Sequence, residues 1–280
     1  MKFNPAEWRT RARDLTQKVR APVAAFMARK QVRLVMDWLV EPVAAVLLVF
    51  TVLTLLVQHF YVPSGSMQPT IAIGDLTLAT KFNYGYDLYS IPFMNGPSPK
   101  TRFLGRMPTV GDVIVFRLPS NTNVAFVKRL IGLPGDHIQM RSGRLWINGR
   151  ELPLRPDGSG PDENGPDELA AGEYPMVLKY IETLPNGVEH PIYKKQWDGP
   201  YDDTPVYVVP KGYVFMMGDN RDDSLDSRVP PSFGGVGYVP VGNLVGRVFV
   251  VLASVDFTNA DHIWDWIPEF RFSRLLKAVH

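Results

Sequence analysis

Residues 124–131 have the sequence Val124-Ala125-Phe126-Val127-Lys128-Arg129-Leu130-Ile131. This mostly apolar run predicts a β-strand, in which successive side chains point to opposite faces. Lys128 then shares a face with Phe126 and Leu130, while Arg129 points to the other side. The strand therefore divides two adjacent cations between its faces and gives Lys128 apolar neighbours, the setting that removes water from an ammonium group. A solvated Lys-Arg pair at a sheet edge is the alternative.

Similar apolar runs, bounded by turn residues, recur along the chain. They predict further strands at 76–79, 113–117, 137–140, 145–147, 206–209, 214–217 and 243–253. The turn signals Ser142-Gly143 and Asn148-Gly149 predict a hairpin or meander over 137–152. The 25 prolines and 23 glycines indicate many turns. Because strands do not alternate with helices, a parallel α/β sheet is disfavoured and the predicted fold is mainly β.

The composition excludes several classes of site. Because the chain has no cysteine, a thiol nucleophile, disulfides and thiolate metal sites are ruled out. None of the five histidines pairs at metal-ligand spacing such as H-E-x-x-H, so we expect no metal and no cofactor. A formal net charge of only +2 produces no overall field that would favour nucleic acid as a partner.

A long apolar run lies near the N-terminus. Residues 42–57 carry no charge and only two hydroxyls, and with the flanks 38–40 and 60–62 the run exceeds the ~20 residues that cross a bilayer. Residues 1–40 carry nine Lys or Arg against three acidic residues, and the next cation is Lys81. By the positive-inside rule the N-terminus is cytoplasmic, and the chain after about Tyr61 is exported.

The long basic leader and Pro63 after the run favour an uncleaved anchor over a cleaved secretory signal. Membrane lipid is then an expected partner. A buried core helix is the alternative interpretation of the apolar run.

Directly after this run comes Pro63-Ser64-Gly65-Ser66-Met67-Gln68-Pro69-Thr70. Gly65 allows a tight turn that exposes the next side chain, but a serine hydroxyl needs a base to become a good nucleophile. The chain has neither a G-x-S-x-G elbow nor an S-x-x-K motif, which argues against an α/β-hydrolase and a penicillin-binding fold. A plain linker, or a triad that recruits His59 or His137, is the alternative.

An acidic stretch forms the third motif, Gly218-Asp219-Asn220-Arg221-Asp222-Asp223-Ser224-Leu225-Asp226-Ser227-Arg228. Its four carboxylates suggest a cation site, but the EF-hand pattern is not met and the interleaved arginines oppose a metal ion. Internal salt bridges and turn hydrogen bonds are therefore the prediction for this loop.

Together with residues 127–136, the serine turn and the acidic stretch resemble the type I signal peptidase family, in the same order behind an apolar run. Members of that family are membrane-anchored endopeptidases that use a Ser/Lys dyad to remove signal peptides from exported proteins. The resemblance covers the apolar run, the turn and most of the downstream chain, and it is weak across roughly residues 150–210.

The resemblance implies a role for each residue of a catalytic site. Ser66 is the expected nucleophile and Lys128 its general base. The Ser66 N–H and the Ser64 hydroxyl are expected to hold the oxyanion, and Ser224 to orient the lysine amine. A lysine that works as a base near pH 7–8 needs its pKa lowered by roughly three units, which burial can supply.

Further residues are implied with structural or substrate-binding roles. Arg129 is expected to pair with Asp219, and the acidic loop to be braced by Asp226 and Arg228. The apolar residues near the catalytic positions that could narrow substrate pockets are Phe60, Val62, Met67, Ile71 and Val127.

The chain is predicted to be an N-terminal transmembrane helix followed by an exported all-β catalytic domain with an inserted smaller β subdomain. The expected segments are a basic cytoplasmic segment 1–37, an anchor 38–62, a discontinuous catalytic domain 63–137 and 211–262, an inserted subdomain 138–210, and an amphipathic tail 263–280. Residues 83–108 and 154–168 are expected to be irregular loops. The tail either lies in a membrane interface or packs on the domain as a helix.

The predicted function is removal of signal peptides from secretory preproteins with small residues at positions −1 and −3. It would take place on the outer side of the cytoplasmic membrane. One alternative is an anchored β-rich envelope protein that binds or scaffolds partners without catalysis. A Ser/Lys protease that cuts itself or cytosolic repressors is a third hypothesis, which the anchor disfavours.

Overall fold

The computed structural model describes residues 30–86, 102–163, 174–256 and 269–280, and the chain divides into the units Met1–Val52 and Leu53–His280. Helix α1 runs over Lys30–Leu55, and each of its described side chains from 38 to 52 is exposed. Within the described part of the chain, no helix combines the length and apolar character needed to span a membrane. Residues 1–29 of the predicted basic segment lie outside the described residues, as do 87–101, 164–173 and 257–268.

The apolar run is not helical throughout, which differs from the expectation for the anchor 38–62. The helix ends at Leu55, and strand β1 (Val57–Tyr61) follows at once. Strand β1 pairs antiparallel with β2 (Asp75–Thr80), so sheet hydrogen bonds satisfy its backbone instead of helical ones. The position of the serine turn follows from this change, because β1 leads directly into it.

The prediction of a mainly β protein is confirmed. The strands after β2 are β3 (Val113–Leu118), β4 (Asn121–Gly132), β5 (His137–Arg141), β6 (Arg144–Ile147), β7 (Arg150–Glu151), β8 (Leu154–Pro161), β9 (Met176–Thr183), β10 (Glu189–Lys194), β11 (Tyr207–Val208), β12 (Tyr213–Met217), β13 (Val239–Pro240), β14 (Leu244–Ser254) and β15 (Lys277–Ala278). All the predicted strands and the 137–152 meander are present within a few residues of the expected limits.

The described strands form three antiparallel sheets. The largest has eight strands in the order β1-β2-β14-β3-β4-β12-β13, with β15 pairing β14. A second sheet has the order β11-β5-β6-β7, and a third has the order β10-β9-β8. The large sheet carries the candidate catalytic residues on β4 and on the loops after β1 and β12.

One strand of the third sheet was not predicted. Residues 154–161 were expected to lie in a loop, but they form strand β8. Its prolines and glycines normally disfavour a strand. Here β8 is an edge strand that pairs only with β9, and its register shifts between Pro156 and Ser159. An edge strand tolerates Pro because half of its N–H groups need no partner in the sheet.

The centre of the large sheet is buried on both faces, as strand β3 shows. Val113 and Val115 enter one apolar cluster, while Ile114 and Phe116 enter another. This alternation follows the two-residue period of a strand. Strand β3 is buried on both faces and pairs with β4, so it fixes the backbone of β4 at Lys128.

The described part of the C-terminal tail joins the large sheet through a strand, whereas the alternatives for it were a membrane-interface segment and a packed helix. Strand β15 pairs with β14, and Val279 is buried in the same cluster as β3. Arg274 adds an ion pair with the buried Asp75.

Candidate active site

The serine turn is a single 3-10 turn, Gly65–Met67, at the end of β1. Met67 and Ile71 are 0% exposed and lie in the apolar cluster beneath it. Burial of these two side chains fixes the turn to the core and leaves Ser66 at the floor of a cleft. The Ser66 carbonyl accepts a hydrogen bond of 3.1 Å from the Asn220 N–H, which joins the turn to the acidic loop.

Lys128 lies in the middle of β4 and reaches the turn. Its Nζ is 2.5 Å from Ser66 Oγ, and the lysine is only 3% exposed. The Phe126 ring on the same face has its centroid 5.5 Å from Nζ, as the strand alternation predicts. Strands β3 and β12 pair with β4 on either side, so the backbone beneath the lysine is held from both directions.

The environment of Lys128 favours the neutral amine. Burial lowers its pKa from 10.5 to about 8, although the nearby carboxylates of Asp226 and Asp219 oppose the shift. A neutral amine has a lone pair that can accept the Ser66 proton, which an ammonium group cannot do. The direction of the shift is the one that a lysine base needs.

Two further serines lie beside this pair. Ser64 Oγ is 3.4 Å from Ser66 Oγ, and Ser64 is exposed. Ser224 and Lys128 line the same cavity, but the expected hydrogen bond between them is not formed, and the buried Ser224 Oγ has no hydrogen-bond partner in the described structure. Ser224 is therefore near the amine without being bonded to it.

Gly218 is a residue of the site that the sequence reasoning did not single out. A Cβ at this position would lie 2.2 Å from Ser224 Oγ and 2.5 Å from the Ser66 carbonyl oxygen. Real Cβ atoms do not approach so closely, so only glycine lets the acidic loop pass between the two serines. The feature of the sequence that could have indicated this role is the position of Gly218, directly before the first carboxylate of the acidic stretch.

Arg129 and Asp219 form the expected ion pair. Arg129 Nε and Nη2 each lie 2.8 Å from a different carboxylate oxygen of Asp219, and both residues are fully buried. Burial favours a higher pKa for Asp219, but the Arg129 charge outweighs it and holds this pKa well below its usual range. Thr70 also donates a hydrogen bond to Asp219, so the pair ties β4 to the end of the serine turn.

Asp226 and Arg228 form a second two-bond pair at the other end of the loop. Arg228 Nε and Nη2 lie 2.9 and 2.8 Å from the two Asp226 oxygens. Asp226 also accepts a 3.0 Å hydrogen bond from the Gly218 N–H, and Arg228 donates to the Arg221 carbonyl. Burial opposes a charged Asp226, yet Arg228 lowers its pKa. Both ends of the loop are thus braced by hydrogen-bonded charge pairs.

The third sheet holds the acidic loop from the outside, through contacts that no local pattern indicated. The Tyr193 backbone donates to the Asp219 carbonyl and accepts from the Arg221 N–H, at 2.9 and 3.0 Å. Arg221 forms a buried pair with Glu182 of β9. Asn220, whose N–H reaches Ser66, also donates from its side chain to an Asp162 oxygen at 3.3 Å. Residues far apart in sequence therefore set the position of the loop.

An apolar cavity of about 280 Å³ opens beside Ser66 and Lys128. Of the five residues expected to contact substrate, Phe60, Val62 and Val127 line it. Met67 and Ile71 do not, because the serine turn directs them into the core. Their expected role as substrate contacts is therefore corrected to a structural one. Across the described residues, His, Asp and Glu side chains form no group suited to hold a metal ion.

Known proteins resemble this chain over most of its length. Residues 35–253 match the family model described as signal peptidase, peptidase S26. A signal peptidase I of Rickettsia felis is 35% identical over 243 residues, which cover 81% of this chain and 86% of the relative. A signal peptidase I of Rickettsia typhi is 36% identical over 244 residues, with coverages of 81% and 87%.

A crystal structure of a signal peptidase I from Enterococcus faecalis V583 shares 26% identity and covers 51% of this chain and 97% of that one, with a TM-score of 0.28. That score is too low to relate the two folds. The family match and the identity of the relatives do not depend on it. The chain belongs to the signal peptidase family, peptidase S26, and is a serine endopeptidase.

Proposed function

We propose that this peptidase removes N-terminal signal peptides from exported preproteins, with Ser66 as nucleophile and Lys128 as general base. The observation that carries the proposal is the 2.5 Å distance between Lys128 Nζ and Ser66 Oγ in a buried setting that lowers the pKa of the lysine. The name signal peptidase I of the relatives supports the choice of substrate.

In the acylation step, neutral Lys128 takes the Ser66 proton while Oγ forms a bond to the scissile carbonyl carbon. The carbonyl electron pair moves onto its oxygen, which the Ser66 N–H and the Ser64 hydroxyl hold. Each such donor lowers the barrier by roughly 3 kcal/mol. Protonated Lys128 then gives its proton to the leaving amine as the C–N bond breaks.

In the deacylation step, Lys128 takes a proton from water, and the hydroxide oxygen attacks the acyl ester. The C–O bond to Ser66 breaks and the serine recovers its proton from Lys128. Ser224 serves to orient the lysine amine, for which its unpaired Oγ in the same cavity provides support. The pairs Arg129–Asp219 and Asp226–Arg228 keep the loop and strand aligned.

The substrate would lie extended across the cleft and pair main chain to main chain with a neighbouring strand. The cavity lined by Phe60, Val62 and Val127 is apolar, which suits apolar side chains at positions −1 and −3. An Ala-x-Ala preference is proposed together with the signal-peptide substrate, in keeping with the name signal peptidase I of the relatives.

The chain is also proposed to be a single-pass protein of the cytoplasmic membrane, anchored by the helical part of the expected segment, residues 38–55, with its N-terminus in the cytoplasm. The uncharged run 42–57, the basic leader and the exposed apolar side chains of helix α1 support this. Lipid contact would cover these side chains. Extraction with alkaline carbonate tests the anchor, because an anchored protein stays in the membrane pellet and a peripheral one is released.

The deciding experiment measures cleavage of a purified preprotein by the wild type, Ser66→Ala and Lys128→Ala. Loss of cleavage in both variants, with circular dichroism spectra like that of the wild type, is the expected result. Ser142→Ala, an exposed turn serine far along the chain, is the matched control and should cleave normally. Cleavage at the wild-type rate by both dyad variants would refute the proposal.

A further inference from the structure

His190 is a buried, titratable residue that the proposed mechanism does not use. It lies on β10 and is 1% exposed. Its Nδ1 is 3.4 Å from Asp219 Oδ1, and its Nε2 is 3.3 Å from Glu182 Oε2. Neither nitrogen has a hydrogen-bond partner of good geometry among the described residues. Polar groups in such a setting cost stability, so their retention calls for a physical reason.

The imidazole ring lies between two arginine–carboxylate pairs. On one side Asp219 is bound through two hydrogen bonds by Arg129 of β4. On the other side Glu182 is bound in the same way by Arg221 of the acidic loop, at 3.0 and 2.5 Å. All five side chains are buried. His190 therefore joins the two pairs into one row of buried ionisable groups.

Backbone pairing sets the place of this ring. His190 and Glu182 are directly opposite each other in the β9–β10 ladder. Three residues further along β10, the Tyr193 backbone donates to the Asp219 carbonyl and accepts from the Arg221 N–H. Strand β10 is thus held by β9 and by the acidic loop at once. The ring is placed at the junction of the third sheet with that loop.

The two carboxylates that face the ring are held in their charged form. Burial opposes a charged Asp219, but Arg129 and His190 lower its pKa well below the usual range. Burial likewise opposes a charged Glu182, and Arg221 and His190 lower its pKa to about 2. A ring nitrogen without a proton would direct its lone pair at a carboxylate. A proton on Nδ1 is therefore what makes the contact with Asp219 attractive.

Asp219 is the carboxylate through which the ring reaches the dyad. Its Oδ2 accepts hydrogen bonds from Arg129 and Thr70, whereas its Oδ1 accepts from Arg129 and faces His190. The next residue after Asp219 donates its backbone N–H to the Ser66 carbonyl. A turn of the Asp219 carboxylate would therefore disturb both the nucleophile turn and the arginine that follows the general base in β4.

We propose that His190 is a positioning residue of the catalytic site, whose Nδ1–H holds the Asp219 carboxylate and thereby keeps the serine turn and strand β4 aligned. The proposal rests on the proposed function, because the alignment serves proton transfer between Ser66 and Lys128. The apolar cavity that would hold the substrate does not include His190 in its lining. Loss of this contact should therefore lower kcat and leave KM nearly unchanged.

Two substitutions separate the two ends of the ring. His190→Asn can keep a donor near the position of Nδ1 and removes the one at Nε2, whereas His190→Gln does the reverse. With the full-length enzyme in detergent micelles and a preprotein substrate, His190→Gln should lower kcat about tenfold, because a displacement of even part of an ångström impairs catalysis. His190→Asn should retain most of the activity. His137→Asn, at an exposed histidine of β5, is the control and should behave as the wild type.

NMR of isotope-labelled histidine nitrogens tests the same contact in the wild type, without a variant that has to fold. The chain has only five histidines, and slow exchange of the N–H proton distinguishes a buried ring from an exposed one. We expect the Nδ1 of His190 to carry a proton. A bare Nδ1 cannot donate to Asp219 and would overturn the proposal.

The kinetic outcomes are equally decisive. Equal kcat in His190→Asn and His190→Gln, or a loss in His190→Asn alone, would overturn the role through Asp219 and leave the proposed function intact. A change confined to KM or to the free energy of unfolding would do the same, since it would show a merely structural residue. Failure of the wild type to cleave the preprotein would overturn both proposals.

Discussion

The protonation of Lys128 sets a quantitative expectation for activity against pH. Burial lowers its pKa to about 8. At pH 7, about one molecule in ten then holds the neutral amine, against about one in 3,000 for a lysine in water. Since the neutral form is the base, activity is present above the pKa and is lost as the pH falls through it.

We therefore expect log(kcat/KM) for a preprotein to rise by about one for each pH unit below a midpoint near pH 8, and to level off above it. The measurement uses substrate well below KM from about pH 5.5 to 10, so that the profile reports the free enzyme. A flat profile over about pH 5 to 9, or a midpoint below about pH 6.5, would refute a lysine base.

Phe126→Ser tests whether burial is the cause of the shift. The Phe126 ring lies 5.5 Å from Nζ, and its removal admits water to the amine. A rise of about one unit in the pKa would move the midpoint to about pH 9 and lower kcat/KM at pH 7 about tenfold. Phe233→Ser removes an exposed aromatic that lines neither cavity and should leave the midpoint in place. An unmoved midpoint in Phe126→Ser would contradict the burial argument.

Three substitutions test the surroundings of the dyad. Lys128→Met should raise the free energy of unfolding at pH 7 by about 1–3 kcal/mol, because burying an amine whose pKa falls by more than two units costs stability. Gly218→Ala should lower kcat about 100-fold, since a Cβ would displace Ser224 and the serine turn by about an ångström. Arg129→Met should cost about 3–5 kcal/mol of stability, because it leaves the buried Asp219 carboxylate without its partner.

Urea unfolding measures the two stability changes, and steady-state kinetics measures the effect of Gly218→Ala. Arg144→Met is the control for Arg129→Met, because it breaks an exposed pair with Glu151 and should cost no more than about 1 kcal/mol. Equal costs for the two arginines would contradict the argument from burial. Destabilisation by Lys128→Met, or wild-type kinetics in Gly218→Ala, would contradict the other two expectations.

Local patterns predicted the strands well and the third sheet poorly. Strands β3, β4 and β12 have apolar runs with a two-residue period, and that period is a property of the chain itself. Strand β8 has two prolines and two glycines among its eight residues. It is a strand because its backbone pairs with the backbone of β9. Pairing of that kind depends on a partner elsewhere in the chain, so composition alone pointed to a loop.

From the order of its residues alone, the chain could be assigned a mainly β fold, a candidate pair Ser66 and Lys128, and a place in a peptidase family. These conclusions rest on short-range periodicity and on motifs, which are properties of the sequence and do not depend on how the chain packs. Folding in three dimensions settled the rest: the 2.5 Å approach of the pair, the unbonded Ser224 hydroxyl, and the inward direction of Met67 and Ile71. Distances, burial and pKa values arise from groups that are remote in sequence and adjacent in space, so no local pattern contains them.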